Sequence, residues 1–334
     1  MQTRTCGRSS IEVSVLGIGC WSFGGGDQDY WGRQEQDDAN DVVAAALDCG
    51  INYFDTAEAY NDGRSEQALG IALKGRRDQA VISTKVGPDS TRPDVLREHC
   101  EASLRRLNTD YVDIYYVHWP ITKHSVQDAF DTLTALKSEG KIRCVCVSNF
   151  GVQQLTEALS TGAQIDLNQL AYSIITRAIE VELVPLCMDN RIGVVPYMTL
   201  MQGLLTGKYR TVDEIPPNRR RTRHFRGDVP PARHGEPGAE QETMHVVNTV
   251  RDIAEEIGLA MEQLSLAWAI SKPGITSVLV GARDRAQVVG NAEAAGVDMP
   301  PELLKRLDDI SLPLLEQLGT NCDYWQGGEN SRTR

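Results

Sequence analysis

Nothing in this 334-residue sequence is apolar over the roughly twenty residues that a membrane-spanning helix needs. The opening MQTRTCGRSSIEVS likewise lacks the apolar core of a secretory signal. Positive charge is scarce: 34 Lys and Arg stand against 46 Asp and Glu, a net charge of -12. That balance argues against general binding to nucleic acid or to an anionic membrane, while leaving room for a local basic pocket around an anionic cofactor. Cysteine occurs eight times but never as C-x-x-C. Cys144 and Cys146 alternate within an apparent strand and read as small buried thiols, so a reduced, cytoplasmic setting fits best. No fixed-period repeat, low-complexity tract or linker divides the chain, and one domain over residues 1–334 is expected. With 41% apolar and 24% charged residues, it has the composition to bury a sizeable core.

What the sequence does contain is an alternation of short β-branched runs with amphipathic stretches. Strands are expected at 14–21, 51–55, 80–85, 112–118, 141–150, 165–169, 192–197 and 275–282. Helices are expected at 37–50, 65–73, 93–107, 126–140, 152–160, 181–189, 241–257 and 285–295, with a further helix at 301–318. Apolar strands joined by helical crossovers imply a parallel sheet covered on its outside. Eight such units predict an α/β fold of the (β/α)₈ TIM-barrel type over about 14–297. A small hairpin precedes it, and an extra helix and tail follow at 301–334.

In such a barrel, function gathers where the strands end at their C-terminal side. Those ends read Asp55, Lys85, His118, Ser148–Asn149, Gln169, Tyr197 and Gly281–Arg283. Tyr60 follows Asp55 by one turn. A free Tyr titrates near pH 10, too high for easy proton exchange. A neighbouring Lys85 is expected to lower that value, with Asp55 holding the ammonium in place, so that Tyr60 serves as a general acid. His118 would orient a substrate carbonyl oxygen. The set moves one proton at an oxygen. It contains neither an activated nucleophile nor a group of metal ligands, so a hydride donor must supply the rest.

These residues lie within GIGCWSFGG (17–25), FDTAEAYNDGRSEQALGIAL (54–73), STK (83–85), VHWP (117–120) and GKIRCVCVSNF (140–150). NQLAYSIITR (168–177), GLLTGKY (203–209) and GARDRAQVVGN (281–291) complete the series. With all eight in order, the sequence resembles the aldo-keto reductases over nearly its whole length. The resemblance implies a catalytic tetrad of Asp55, Tyr60, Lys85 and His118, and a nicotinamide dinucleotide extended across the barrel mouth without a Rossmann glycine fingerprint. It further implies that Ser148, Asn149 and Gln169 hold the carboxamide, that Tyr197 stacks on the ring and that Trp21 borders it. The pyrophosphate would lie along 199–207, with Thr199, Leu200, Gly203, Leu205 and Lys208 in contact. The adenosine end would meet Gly281, Arg283, Gln287 and Asn291. Arg283 either pairs with a 2′-phosphate or stacks on adenine; NADPH is preferred on the first reading, with NADH as the alternative. The chain departs from the family pattern at YMTL (197–200), where Tyr-Ser-Pro-Leu is usual, and at Cys146, where Gly is common.

Trp21, Trp31 and Trp119 are candidates to line a substrate pocket above the nicotinamide. The basic run NRRRTRHFRG (218–227), with Arg233 and His234, reads either as a clamp for substrate or phosphate, offering Arg223 and His224, or as a solvated loop. The tail, 319–334, carries Tyr324 and Trp325 and either folds over the mouth or docks on another subunit, which leaves a homo-oligomer open. The expected activity is NAD(P)H-dependent reduction of aldehydes or ketones, including sugar-like ones. The alternatives are a polyol dehydrogenase using the same site, a cofactor-sensing regulatory subunit, and a non-redox barrel.

Overall fold

The computed structural model describes residues 1–334. An antiparallel hairpin, β1 (Thr3–Thr5) with β2 (Glu12–Ser14), opens the chain. Then follow β3 (Leu16–Gly19), α1 (Gln36–Asp48), β4 (Tyr53–Asp55), α2 (Arg64–Ala72), β5 (Val81–Val86) and α3 (Pro93–Leu107). The middle of the chain forms β6 (Val112–Val117), α4 (Val126–Ser138), β7 (Ile142–Ser148), α5 (Val152–Ser160), β8 (Leu167–Ala171) and α6 (Leu183–Asp189). The last part holds β9 (Gly193–Tyr197), α7 (Glu240–Ile257), α8 (Met261–Ser271), β10 (Val278–Val280), α9 (Arg285–Glu293) and α10 (Pro301–Leu318).

Each neighbouring pair in the order β10-β3-β4-β5-β6-β7-β8-β9 is parallel. The gap between β9 and β10 is spanned by a bridge from Val194 to Ile275. There the Val194 N–H donates to Gly274 O at 2.9 Å and the Thr276 N–H to Val194 O at 2.8 Å. The eighth strand, Val278–Val280, is shorter than the expected 275–282. The result is an eight-stranded barrel inside a ring of helices. No helix is long and apolar enough to cross a membrane.

One helix was not anticipated. In α8, Leu264, Ser265, Leu266, Ala267, Trp268, Ala269 and Ile270 are all buried, so no polar face marks the helical period. Elsewhere local signals agree with the chain's course. Pro93 opens α3, and Asn108 closes it in the left-handed region at φ 52°. The Ser125 side chain accepts from the Asp128 N–H to cap α4.

Side chains alternate between the two faces of each strand. Tyr53, Ile114, Tyr116, Cys144, Cys146, Leu167, Val195 and Leu279 point inward and pack with Cys6 and Val13 of the hairpin segment. The outward set, including Phe54, Ile82, Tyr115, Val145 and Val194, joins a cluster of 77 buried residues shared with the helices. Gly17 makes room inside the barrel: a Cβ there would lie 2.7 Å from the Tyr53 ring. The same alternation carries upward from this packed interior, so the next inward position on successive strands is Asp55, Lys85, His118, Ser148, Gln169 and Tyr197.

Candidate active site

The segment after β4 shows how the local sequence builds the site. Asp55 ends the strand, and Asn61 and Asp62 both adopt left-handed backbone, φ 50° and 55°, which short polar side chains tolerate. The Asn61 amide donates to Trp21 O at 2.9 Å and Phe23 O at 2.8 Å, fastening this turn to the loop after β3. Ser65 Oγ fastens it again through Cys20 O at 2.7 Å. The turn thereby sets Tyr60 over the mouth.

Lys85, fully buried, donates from Nζ to Asp55 Oδ2 and to Thr56 O, each at 2.7 Å, and lies 3.4 Å from the Tyr60 hydroxyl. Asp55 Oδ1 accepts from Ser83 Oγ at 2.6 Å and from Gln169 Nε2 at 2.9 Å. The Tyr60 ring meets the His118 ring edge-on, centroids 5.7 Å apart, and stacks on Trp21 at 5.4 Å. The four predicted groups therefore surround one point at the mouth.

Their electrostatics differ from the expectation in one respect. Tyr60 is not made more acidic: burial, then the Asp55 charge, pushes its pKa well above the ordinary phenol value. Lys85 fails to offset this because its charge is already paired with Asp55, and burial pulls its own pKa down. His118 is pushed down to about 3 by burial first, then by Lys85 and Arg332, so its imidazole is neutral at pH 7. At neutral pH the mouth thus presents a protonated phenol and a neutral imidazole, two groups able to donate to one oxygen.

Beside them, the ends of β7, β8 and β9 form a second polar set. Asn149 sits at φ 63° and donates from Nδ2 to His118 O at 3.0 Å and to Ser148 Oγ at 3.1 Å. Its Oδ1 accepts from the Tyr197 hydroxyl at 2.5 Å. Ser148 Oγ donates to Gln169 O at 3.1 Å. Ser148, Asn149, Gln169 and Tyr197 are thus contiguous.

The 199–207 segment lies on the same rim. Gly203 has φ 97°, and a Cβ on it would fall 2.6 Å from Lys208 Nζ, so the absent side chain is what lets the ammonium fold over this backbone. Thr199 and Leu205 play other parts than expected. The Thr199 hydroxyl donates to Leu279 O at 2.9 Å, and Leu205 is fully buried with its N–H given to Leu200 O. Leu200 is half-buried beside them.

At the β10 end, Gln287 Oε1 accepts from the Arg283 N–H at 3.1 Å, and Asn291 is buried one turn further. The Arg283 guanidinium donates to Trp31 O at 2.7 Å and Arg33 O at 2.6 Å, tying the loop after β3 to this rim. Gly281 approaches Gly19, whose carbonyl oxygen would lie 3.9 Å from a Cβ there.

The basic loop divides into two parts. Arg219 lies over the rings of Trp31, at 4.0 Å, and Tyr30, at 4.6 Å, while Arg221 lies over Tyr30 at 4.4 Å. Arg223 and His224, offered above as substrate contacts, are instead structural. Arg223 is buried and donates to Glu236, to Leu318 O at 2.7 Å and to Asn321 O at 3.1 Å. His224 is fully buried, bonds Ile175 O at 2.6 Å and stacks on Tyr324 at 5.2 Å. A loop residue with a buried carbonyl waiting for it cannot also face solvent.

These anchors hold the tail across the mouth, where Trp325 lies 6.0 Å from the rings of both Trp119 and Tyr197. Sequence reasoning did not single out Tyr30 or Arg332; it offered the tail with Trp325 over the mouth as one of two readings, and Arg219 only as part of the basic run. At the opposite end of the barrel a polar depression of about 700 Å³ lies among Arg8, Asp78, Tyr111, Asp113 and Arg143. Within it Arg143 bonds Asp113, which also accepts from the neighbouring Arg77.

The model of the Aldo/keto reductase family matches residues 15–312. The chain is 34% identical over 319 residues to the NADH-specific methylglyoxal reductase of Escherichia coli (strain K12), covering 88% of this chain and 93% of that protein. It is 32% identical over 325 residues to the aldo-keto reductase YhdN of Bacillus subtilis (strain 168), covering 93% of each. Among solved structures, an aldo/keto reductase from Klebsiella pneumoniae in complex with NADP and acetate superposes with a TM-score of 0.70 at 28% identity, over 90% of this chain and 92% of that one. The barrel, the rim that carries these groups and the family match agree: the chain belongs to the aldo/keto reductase family of nicotinamide-dependent oxidoreductases.

Proposed function

We propose that the protein reduces aldehydes or ketones with Tyr60 as proton donor, His118 as the group that orients the carbonyl oxygen, and Lys85 and Asp55 as the pair that sustains Tyr60. The observation that carries this reading is the buried line from Asp55 through Lys85 to the Tyr60 hydroxyl, 2.7 Å and 3.4 Å, with His118 against the same ring.

The residues present fit a nicotinamide dinucleotide. Ser148, Asn149 and Gln169 supply in-plane donors and acceptors suited to a carboxamide, and Tyr197 offers a ring. Lys208, folded over Gly203, supplies a cation for the pyrophosphate. When bound, the dinucleotide supplies the hydride to the carbonyl carbon. The rest falls to the chain. Tyr60 Oη and the His118 N–H donate to the carbonyl oxygen, and Tyr60 passes its proton to that oxygen as negative charge develops there. Lys85 then faces the phenolate left behind. Asp55 keeps Lys85 charged in a site where burial alone favours the neutral amine.

With its pKa raised by burial, Tyr60 is in the acid form at neutral pH, the form that a reduction uses. NADPH remains the preferred donor in this proposal, through Arg283. A 2′-phosphate there would draw the guanidinium from the two loop carbonyls it now holds. Steady-state turnover of a carbonyl panel with both dinucleotides tests the reading. Tyr60→Phe should lower kcat by about a hundredfold to ten-thousandfold while leaving dinucleotide affinity within about twofold. Retained turnover refutes Tyr60 as the donor, and dinucleotide binding without turnover of any carbonyl by the unaltered protein favours a sensing subunit instead.

A further inference from the structure

We infer that Tyr53 and Tyr116, buried inside the barrel below the mouth, are positioning residues for the reduction: with Ser83 they form a one-way chain of hydroxyls that ends on the Asp55 carboxylate and keeps it ionised. The inference rests on the reductase reading and adds to its acid–base machinery two side chains that never meet substrate.

Three adjacent strands build the chain. Tyr53 and Asp55 share the inward face of β4, Ser83 and Lys85 that of β5, and Tyr116 lies on β6 opposite Lys85. Tyr53, Ser83 and Tyr116 are each fully excluded from water. Ser83 Oγ lies 2.6 Å from Asp55 Oδ1 and 3.2 Å from the Tyr53 hydroxyl, which in turn lies 3.1 Å from the Tyr116 hydroxyl. Around them the interior is apolar, with Ile114, Leu167, Val195 and Leu279 beside Cys144 and Cys146. Phenylalanine would fill the same space, and a hydroxyl brought there costs free energy unless it is bonded. Packing therefore does not account for two phenols.

The direction of the chain follows from counting hydrogens. Each hydroxyl has one, and a carboxylate only accepts. Ser83 gives its hydrogen to Asp55, so its contact with Tyr53 is a bond only if Tyr53 donates. Tyr53 then accepts from Tyr116, whose hydroxyl has no other partner. The reverse order would leave the Tyr116 hydrogen without an acceptor in a dry interior, and would leave no hydrogen between Tyr53 and Ser83. All three O–H dipoles thus point at Asp55, and each polarises the next. Together with Gln169 Nε2, 2.9 Å from the same Oδ1, they favour the carboxylate over the acid.

Few groups near Asp55 change charge. Lys85, Cys20 after β3, Tyr60 and the two interior tyrosines face it, and Glu66, paired with Arg106, reaches Lys85 from outside the sheet. Burial above all raises the pKa of Cys20, Tyr53, Tyr60 and Tyr116 well above the ordinary values, so these four stay protonated. His118, pushed down to about 3, is neutral at any higher working pH. That leaves the Asp55–Lys85 pair to set the limbs of the reaction.

The test is kcat against pH, from about pH 5 to pH 9 with saturating dinucleotide, for Ser83→Ala, Tyr53→Phe and Tyr116→Phe. Losing a donor to the ionised form raises a pKa, so activity on the acid side should be lost at a higher pH. Ser83→Ala removes a charged hydrogen bond and should move that limb up by about one unit. Tyr53→Phe should move it by about half a unit, a loss of roughly threefold in kcat on the limb, and Tyr116→Phe by less. Ser83→Thr, which keeps the hydroxyl, should restore its position. The alkaline limb, where Lys85 loses its proton, should not move. A variant-to-unaltered ratio that is constant with pH is what a merely structural role gives, and it overturns the inference. So does a larger shift from Tyr116→Phe than from Tyr53→Phe.

A double-mutant cycle reads the chain without turnover. The drop in thermal midpoint caused by Tyr53→Phe should shrink by about half or more in the Asp55→Asn background, where the charge at the end of the chain is gone. An Asp55-dependent drop in a protein that reduces no carbonyl would uphold the chain while refuting the reductase reading. A drop indifferent to Asp55→Asn would overturn the chain whether or not carbonyls are reduced.

Discussion

The Asp55–Lys85 pair offers a sharp test because its two halves fail in opposite ways. Both side chains are almost completely excluded from water, at 4% and 0% exposure, and they meet at 2.7 Å. Removing one partner of such a pair strands the other charge, at a cost of about 3–5 kcal/mol. Lys85→Met leaves the Asp55 carboxylate with only Ser83 and Gln169 as donors. At roughly 2 °C per kcal/mol for a chain of this size, its thermal midpoint should fall by about 6–10 °C at pH 7. Protonation of the stranded acid is the only relief, so the deficit should shrink as the pH falls.

Asp55→Asn strands the ammonium instead. Burial already draws the Lys85 pKa below 10.5, and Asp55 is the main influence opposing that shift. Without Asp55 the folded state sheds the proton more readily than the unfolded state does, and the unfolded state binds more protons. Stability must then rise with pH. Melting curves of the two variants between pH 5 and pH 9, run beside the unaltered protein, should show slopes of opposite sign. Slopes of the same sign, or midpoints within about 2 °C of the unaltered protein, would show that water reaches the pair and refute the description of a closed ionic support.

Two further outcomes follow from the geometry. Gly203→Ala must place a Cβ at φ 97° and 2.6 Å from Lys208 Nζ. By pushing the Lys208 ammonium off this backbone, the Cβ should lower dinucleotide affinity measured by calorimetry by about tenfold; an unchanged dissociation constant would remove Lys208 from the anion site. His224 is held neutral, its pKa pushed down from 6.5 to about 4 by burial, so the folded state binds fewer protons than the unfolded chain. Its stabilisation is complete above pH 6.5 and is lost as the pH falls towards 4, about 3 kcal/mol in all. His224→Gln should flatten the acid limb of the melting midpoint against pH, and an unaltered limb would show that this ring is not what acid attacks.

Much of the barrel and of the mouth was legible because both follow from strand alternation. Asp55, Lys85, His118, Ser148, Gln169 and Tyr197 are polar residues in inward register at the ends of apolar runs, a pattern visible without coordinates. Three things were not. Helix α8 has no amphipathic period because it is buried all round. The pairing of Asp55 with Lys85 was expected, but the acidity of Tyr60 depends first on how deeply the phenol is buried, and a string of letters does not show that depth. The roles of Arg223 and His224 turn on contacts with Leu318, Asn321 and Tyr324, residues that come near only once the tail has folded back. A basic cluster looks alike on paper whether its guanidiniums meet solvent or the carbonyl ends of a helix.

The anchoring of residues 319–334 from outside the β-sheet has an evolutionary corollary. Asp55, Lys85, Ser148, Gln169 and Tyr197 belong to the strands, while Trp325 and Arg332 hang from Arg223, His224 and Asp323, none of which is part of a strand. The strand ends and the tail that crosses them are thus held by separate contacts. A descendant that exchanged the terminal segment together with its matching latch would change one wall of the mouth and leave the strand ends as they are.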